Sequence, residues 1–105
     1  MTKLLLAVFG VVFCFSTIGV KAQDCGGYVV LGCFQDYSAA ESRSNQTGST
    51  TMVLDTSSAR YPNFRAGWFC VADGPFLNSK GREAQETLKF WKNKGIRDAY
   101  AKDAC

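Results

Sequence analysis

Apolar positions in this chain form one long uncharged run, several strand-length stretches and one stripe of helical spacing. The run, Leu4 to Val20, follows Lys3 and ends at the small-residue step Val20-Lys21-Ala22, the anatomy of a secretory signal cleaved after Ala22. Residues 1–22 are read as a signal peptide and 23–105 as one small domain. The first strand-length stretch is Tyr28-Val29-Val30-Leu31-Gly32-Cys33-Phe34, β-branched and aromatic, preceded by Gly26-Gly27. Asp36 can then cap a helix beginning near Tyr37. After Ala39 and Ala40, however, Ser42, Ser44 and Asn45 bring little apolar surface, so a short, weakly held helix is expected. The polar stretch from Glu41 to Thr51 reads as a surface connection.

Strand two is expected over Thr51–Thr56, with Tyr61-Pro62-Asn63 as the turn out of it, and strand three over Gly67–Ala72, closed by Asp73-Gly74-Pro75. The strongest local pattern comes next. Ala84, Thr87, Leu88 and Trp91 recur at i, i+3, i+4 and i+7, behind Asn78 or Ser79 as cap. Glu83 and Glu86 stand early in this helix, Lys92 and Lys94 late, and Gly95 is the stop. Ile96 to Ala104 completes the pattern as a thin, alanine-rich final strand. The order β, weak α, β, β, α, β fits one α+β domain, a four-stranded antiparallel-containing sheet with two helices on one face. By element count, the second sheet face is left uncovered and free for a ligand or partner.

Charge excludes one large class of partners. Of 12 Lys+Arg against 9 Asp+Glu, Lys3 and Lys21 leave with the leader, so the domain is nearly neutral and lacks the basic surplus that nucleic acid requires. No later segment is long and apolar enough to cross a bilayer, so no membrane contact is expected once the leader is cut. With Cys14 gone, Cys25, Cys33, Cys70 and Cys105 remain. An even number in a short exported domain reads as two disulfides, with three connectivities open. A zinc site would call for short paired spacings or histidine and finds neither, so no metal and no cofactor are expected. The absence of histidine, of Gly-x-Ser-x-Gly and of a phosphate-cradling loop argues against an enzyme. Asp36, Glu41, Asp55 and Asp73 remain as candidates for a glycosidase-type pair, but nothing in their spacing brings two together.

The same residues resemble a known family. Tyr28 to Phe34, ending Gly-Cys-Phe, is similar to the opening strand of the SPOR (sporulation-related repeat) domain, which typically has an aromatic, alternating valines and a Gly-Ser-Phe ending. Trp68 to Phe76, ending Asp-Gly-Pro-Phe, is similar to its third strand. Glu83 through Leu88, Trp91 and Lys94-Gly95 to Tyr100 is similar to its second helix, glycine and last strand. The resemblance spans Gly27 to Asp103. It implies a ferredoxin-like βαββαβ fold and non-catalytic binding of peptidoglycan glycan strands, favouring strands stripped of stem peptides, by a periplasmic or secreted protein of the bacterial cell envelope. Two positions depart from the family pattern: Val30 stands where members often place Gln, and Cys33 where they place Ser. Both missing groups are polar contacts suited to a sugar chain. The alternatives are therefore a protein-interaction module on the same fold that binds an envelope protein, or a small secreted disulfide-stabilised effector.

Strand alternation nominates a binding surface. With Val29, Leu31, Phe69, Val71, Ala99 and Ala101 toward the helices, Tyr28, Val30, Trp68, Tyr100 and Lys102 fall on the open face. Tyr28, Trp68 and Tyr100 would form an aromatic strip covering the apolar faces of pyranose rings, while Lys102 would hydrogen-bond hydroxyl, lactyl or acetamido groups. The strand order that the resemblance implies, with strand one between strands three and four, places Cys25, Cys70 and Cys105 at one edge of the sheet and Cys33 near the other. That favours Cys25–Cys105. It makes Cys33–Cys70 awkward, because five residues of strand cover about 16 Å and bridged Cα atoms lie within roughly 7 Å.

Overall fold

The computed structural model describes residues 25–105; the signal peptide expected over 1–22 lies outside them. The alternating valines and aromatics make strand β1 (Gly27–Phe34), which runs through the middle of a four-stranded sheet. Helix α1 (Tyr37–Thr47) leads to the edge strand β2 (Thr51–Asp55), and β3 (Phe69–Phe76) returns between β2 and β1. Helix α2 (Arg82–Asn93) crosses to β4 (Tyr100–Asp103) at the other edge. In the order β2-β3-β1-β4 every neighbouring pair is antiparallel, an α+β arrangement of ferredoxin-like form. Both helices stack on one sheet face, where Val29, Leu31 and Val71 meet Ala40 of α1 and Trp91 of α2.

Helix α1 runs 11 residues, longer than its composition suggests, with Ala40 its one buried residue. Polar tethers hold it where an apolar stripe is missing. Arg43 Nη1 donates to the Leu31 carbonyl at 2.8 Å, with its guanidinium 5.6 Å from the Phe34 ring centre. The Thr51 hydroxyl lies 3.0 Å from those of both Ser44 and Thr47, pinning the end of α1 to the start of β2. Asp36 stands at the N-cap, but its carboxylate accepts from the Ser38 hydroxyl at 2.6 Å instead of from a helix amide.

Helix α2 begins after Gly81, later than the expected cap. Asn78 Oδ1 instead accepts from the Lys80 amide at 3.0 Å, and the Asp103 carboxylate takes the Ser79 amide at 2.6 Å. Its end is as read. The Gly95 amide donates to the Lys92 carbonyl and the Ile96 amide to the Trp91 carbonyl, both at 3.1 Å, the paired bonds of a Schellman motif. Gly95 takes a φ of 112°, which glycine alone adopts cheaply. Gly27 is needed for another reason: a Cβ there would collide with the main chain of Asn78 and Ser79.

Strand β3 continues through Asp73-Gly74-Pro75, read from sequence as a closing turn, because Asp73 pairs with Val29 and Phe76 with Gly27 across a register shift that absorbs the extra residue. β4 is shorter than expected. Ile96 to Ala99 form a turn, with the Ala99 amide on the Ile96 carbonyl at 3.2 Å, and both side chains pack into the helix-side core.

The cysteines pair as Cys25–Cys105, with Cα atoms 4.7 Å apart, and Cys33–Cys70, with Cα atoms 4.0 Å apart. The first pairing matches expectation and the second corrects it. β1 and β3 are antiparallel, so the start of β3 lies beside the end of β1 and Cys70 faces Cys33 directly. Setting Cys70 beside Cys25 treats those strands as parallel. Two such bridges are the chemistry of an oxidising, extracytoplasmic compartment. No helix among the described residues is long and apolar enough to cross a membrane.

Candidate functional site

Alternation sorts the strand residues as expected: Tyr28, Val30, Cys70 and Ala72 share the sheet face away from the helices. That face is not open. The connection from β2 to β3, residues 56–68, folds back across it and carries Tyr61 and Phe64 onto the sheet. Ring centres are 6.0 Å apart for Tyr28–Tyr61 and 6.2 Å for Tyr61–Phe64, both edge to face. Tyr28 is 1% exposed and Val30 0%. The expectation that Tyr28 and Val30 contact a ligand is thereby corrected, since both belong to a second small core and present no surface. Two helices cannot cover two faces, but a connection carrying two aromatic rings can, and those rings leave water only by lying on the sheet.

The covering segment is fastened at its base and its tip. The buried Thr56 hydroxyl donates to the Trp68 carbonyl at 3.0 Å and accepts from the Trp68 amide at 2.9 Å, and the Thr56 amide donates to the same carbonyl at 2.9 Å. At the tip the Asn63 amide donates to the Ala104 carbonyl at 2.9 Å and its side-chain amide to the Asp103 carbonyl at 3.1 Å.

At the rim of this cover, three of the nominated residues come together. Trp68, Tyr100 and Lys102 line one depression of about 280 Å³ with Phe64, Arg65 and the Cys33–Cys70 bridge. Trp68 and Lys102 are half-buried and Tyr100 is 44% exposed. Lys102 reaches over the Phe64 ring, its Nζ 5.7 Å from the centre. The Tyr100 hydroxyl lies 3.9 Å from Cys33 Sγ and, because that sulfur is oxidised, the hydroxyl is the donor. Burial raises the Tyr100 pKa above the usual phenol value, so this hydroxyl stays protonated and donating throughout the neutral range.

Two cations, Arg65 and Lys102, line the depression, and no carboxylate does. It can therefore stack a flat apolar face on Trp68 and Tyr100 and surround it with donors; it holds no histidine, free thiol or carboxylate. The carboxylates weighed from sequence lie elsewhere. Asp55 accepts from the Ser57 amide at 3.0 Å and Asp73 from the Trp91 indole at 2.9 Å, while Asp36 and Glu41 face solvent along α1.

Phe64 and Arg65 escaped sequence reasoning. A signal was there: Phe64 is a large aromatic in a connection of small and polar residues, and such a side chain has to find cover. Comparison of the chain with family models, with curated proteins and with solved structures found no match.

Proposed function

We propose that the domain is a non-catalytic binding module of the bacterial cell envelope that takes peptidoglycan glycan strands at the Trp68–Tyr100–Lys102 depression. The observation that carries this reading is the lining itself, an indole and a half-exposed phenol flanked by Lys102 and Arg65, with no carboxylate among the lining residues. Flat rings cover the apolar faces of pyranose rings. The two cations suit the lactyl carboxylates that a strand exposes once its stem peptides are removed. At about 280 Å³ the depression takes one sugar of a longer chain and leaves the rest in solvent. The ferredoxin-like arrangement and the two disulfides accord with a SPOR-like domain exported to the periplasm or beyond.

Co-sedimentation with purified sacculi tests the reading. Pelleting should rise after an amidase strips the stem peptides and fall in Trp68→Ala; pelleting no greater than that of an unrelated control protein overturns it. One observation favours a second reading, a protein-interaction module on the same fold. The sheet face that would give a glycan strand a long track is closed by Tyr61 and Phe64. Under that reading the domain binds an envelope protein through Trp68 and ignores sacculi.

A further inference from the structure

The two helices pack side by side on the sheet with their backbones held apart, no Cα of one lying within 8 Å of a Cα of the other. Two depressions of about 570 Å³ and 620 Å³ lie between them and adjoin at Thr47, Phe90 and Trp91, which line both, so that together they make a two-lobed groove. Its floor is apolar. Trp91 is 7% exposed and donates its indole N–H to Asp73 at 2.9 Å, and the half-exposed Phe90 stands edge to face on it with ring centres 5.1 Å apart.

The ends of the groove carry opposite charge. Arg43, Lys94 and Asp98 line one end, Glu83, Glu86 and Asp73 the other. Lys94 rests over Phe90 with Nζ 5.5 Å from the ring centre, and the described contacts of Arg43 are the Leu31 carbonyl and the Phe34 ring, so four of its five N–H donors are left to a ligand. Asp73 is engaged by Trp91, and Glu86 shares an exposed pair with Arg82 at 3.3 Å. Gln46 in the first depression and Ser49, Thr50 and Thr87 in the second offer amide and hydroxyl groups along the walls.

We propose that this groove binds an extended peptide segment of a partner protein. An apolar side chain of the peptide seats on Phe90 and Trp91, an acidic residue lies toward Arg43 and Lys94, and a basic residue lies toward Glu83 and Glu86. Opposite charges on either side of an apolar centre select a chain that carries both signs, and the wall hydroxyls match the N–H and C=O groups of an extended backbone. At 1.5 Å per residue Glu83 and Lys94 stand about 16 Å apart along α2, the span of about five extended residues. The groove lies on the opposite side of the sheet from the Trp68–Tyr100 depression, so the proposal does not rest on glycan binding.

Amide-resolved NMR titration of the exported domain tests it, with acetyl-Lys-Ser-Phe-Ser-Ser-Glu-amide as the probe and the versions carrying Lys at both ends or Glu at both ends as controls. The mixed-charge peptide should shift amides of α1 and α2 and bind about tenfold more tightly than either control, with the advantage shrinking at about 0.5 M salt. The double variant Glu83→Gln/Glu86→Gln should lose most of that advantage. Phe90→Ala should weaken all three peptides about equally. Equal binding of the three peptides by the native domain overturns the proposal, as does the absence of saturable shifts or shifts confined to Trp68 and Tyr100.

Discussion

Replacing Cys33 and Cys70 together by alanine removes the bridge between the end of β1 and the start of β3 and leaves Cys25–Cys105 in place. The two bridges are nested, with sequence separations of 37 and 80 residues. On a free chain the inner loop would stabilise by about 4 kcal/mol and the outer by slightly more, through entropy taken from the unfolded state. With the outer bridge made, however, the inner one divides a ring instead of closing an open chain. Its effective loop is the reduced length of the two arms, about 20 residues, which lowers its contribution to about 3 kcal/mol. Cys70 is 2% exposed, so loss of its sulfur adds a packing deficit of about 1 kcal/mol. The expected destabilisation is therefore about 4 kcal/mol, a large share of the roughly 5–15 kcal/mol that holds a domain together. Equilibrium urea unfolding without reductant, followed by tryptophan fluorescence, measures it. The m-value should rise at the same time, because the unfolded chain loses a constraint and exposes more surface. A loss below about 1 kcal/mol with an unchanged m-value would refute the loop-entropy reasoning, provided mass spectrometry finds no free thiol in the parent protein.

Gly27→Ala should cost more than Gly95→Ala. The first drives a methyl into the main chain of Asn78 and Ser79, about 1–3 kcal/mol or more. The second meets open space and bears only the left-handed backbone penalty of about 1–2 kcal/mol; the reverse order in urea unfolding would contradict both assignments. Trp91→Phe removes the donor to Asp73 and should destabilise by about 1–2 kcal/mol, whereas a neutral result would mean that Asp73 finds another partner. Tyr100 gives a pH signature. Its pKa is raised by burial, so its contribution to stability is whole below the unfolded phenol value of about 10 and is lost as pH rises through the higher folded value. Stability should therefore decline less steeply above about pH 10 in Tyr100→Phe than in the parent, and identical slopes would sink the claim.

The parts of this fold that could be read from sequence are those whose signal is local. The alternation from Tyr28 to Leu31 and the stripe Ala84, Thr87, Leu88, Trp91 state which side of an element is apolar, and the fold keeps those sides until the register shift at Gly32 turns Cys33 and Phe34 over. What escaped reading depends on partners distant in sequence. The Cys33–Cys70 pairing follows from the antiparallel sense of β1 and β3, and the length of α1 from Arg43 reaching back to Leu31. Alternation also names a face without saying whether that face is covered, which is why Tyr28 and Tyr100 received the same reading and have opposite fates. Burying a ring such as Tyr61 or Phe64 is worth about 1.5–3 kcal/mol, enough to draw a polar connection onto the sheet when Asn63 can satisfy its amides at the β4 end. The position of the remaining site then follows from connectivity. The cover must leave the sheet where β3 begins, so Trp68, the residue before β3, emerges at its rim. Tyr100, the first residue of β4, pairs with the covered Val30 from the outer edge and keeps one side in solvent. An aromatic pair at that seam is what remains when a loop closes most of a sheet face, and the same geometry makes the residues that form the cover, Tyr61 and Phe64, determinants of where a ligand can lie.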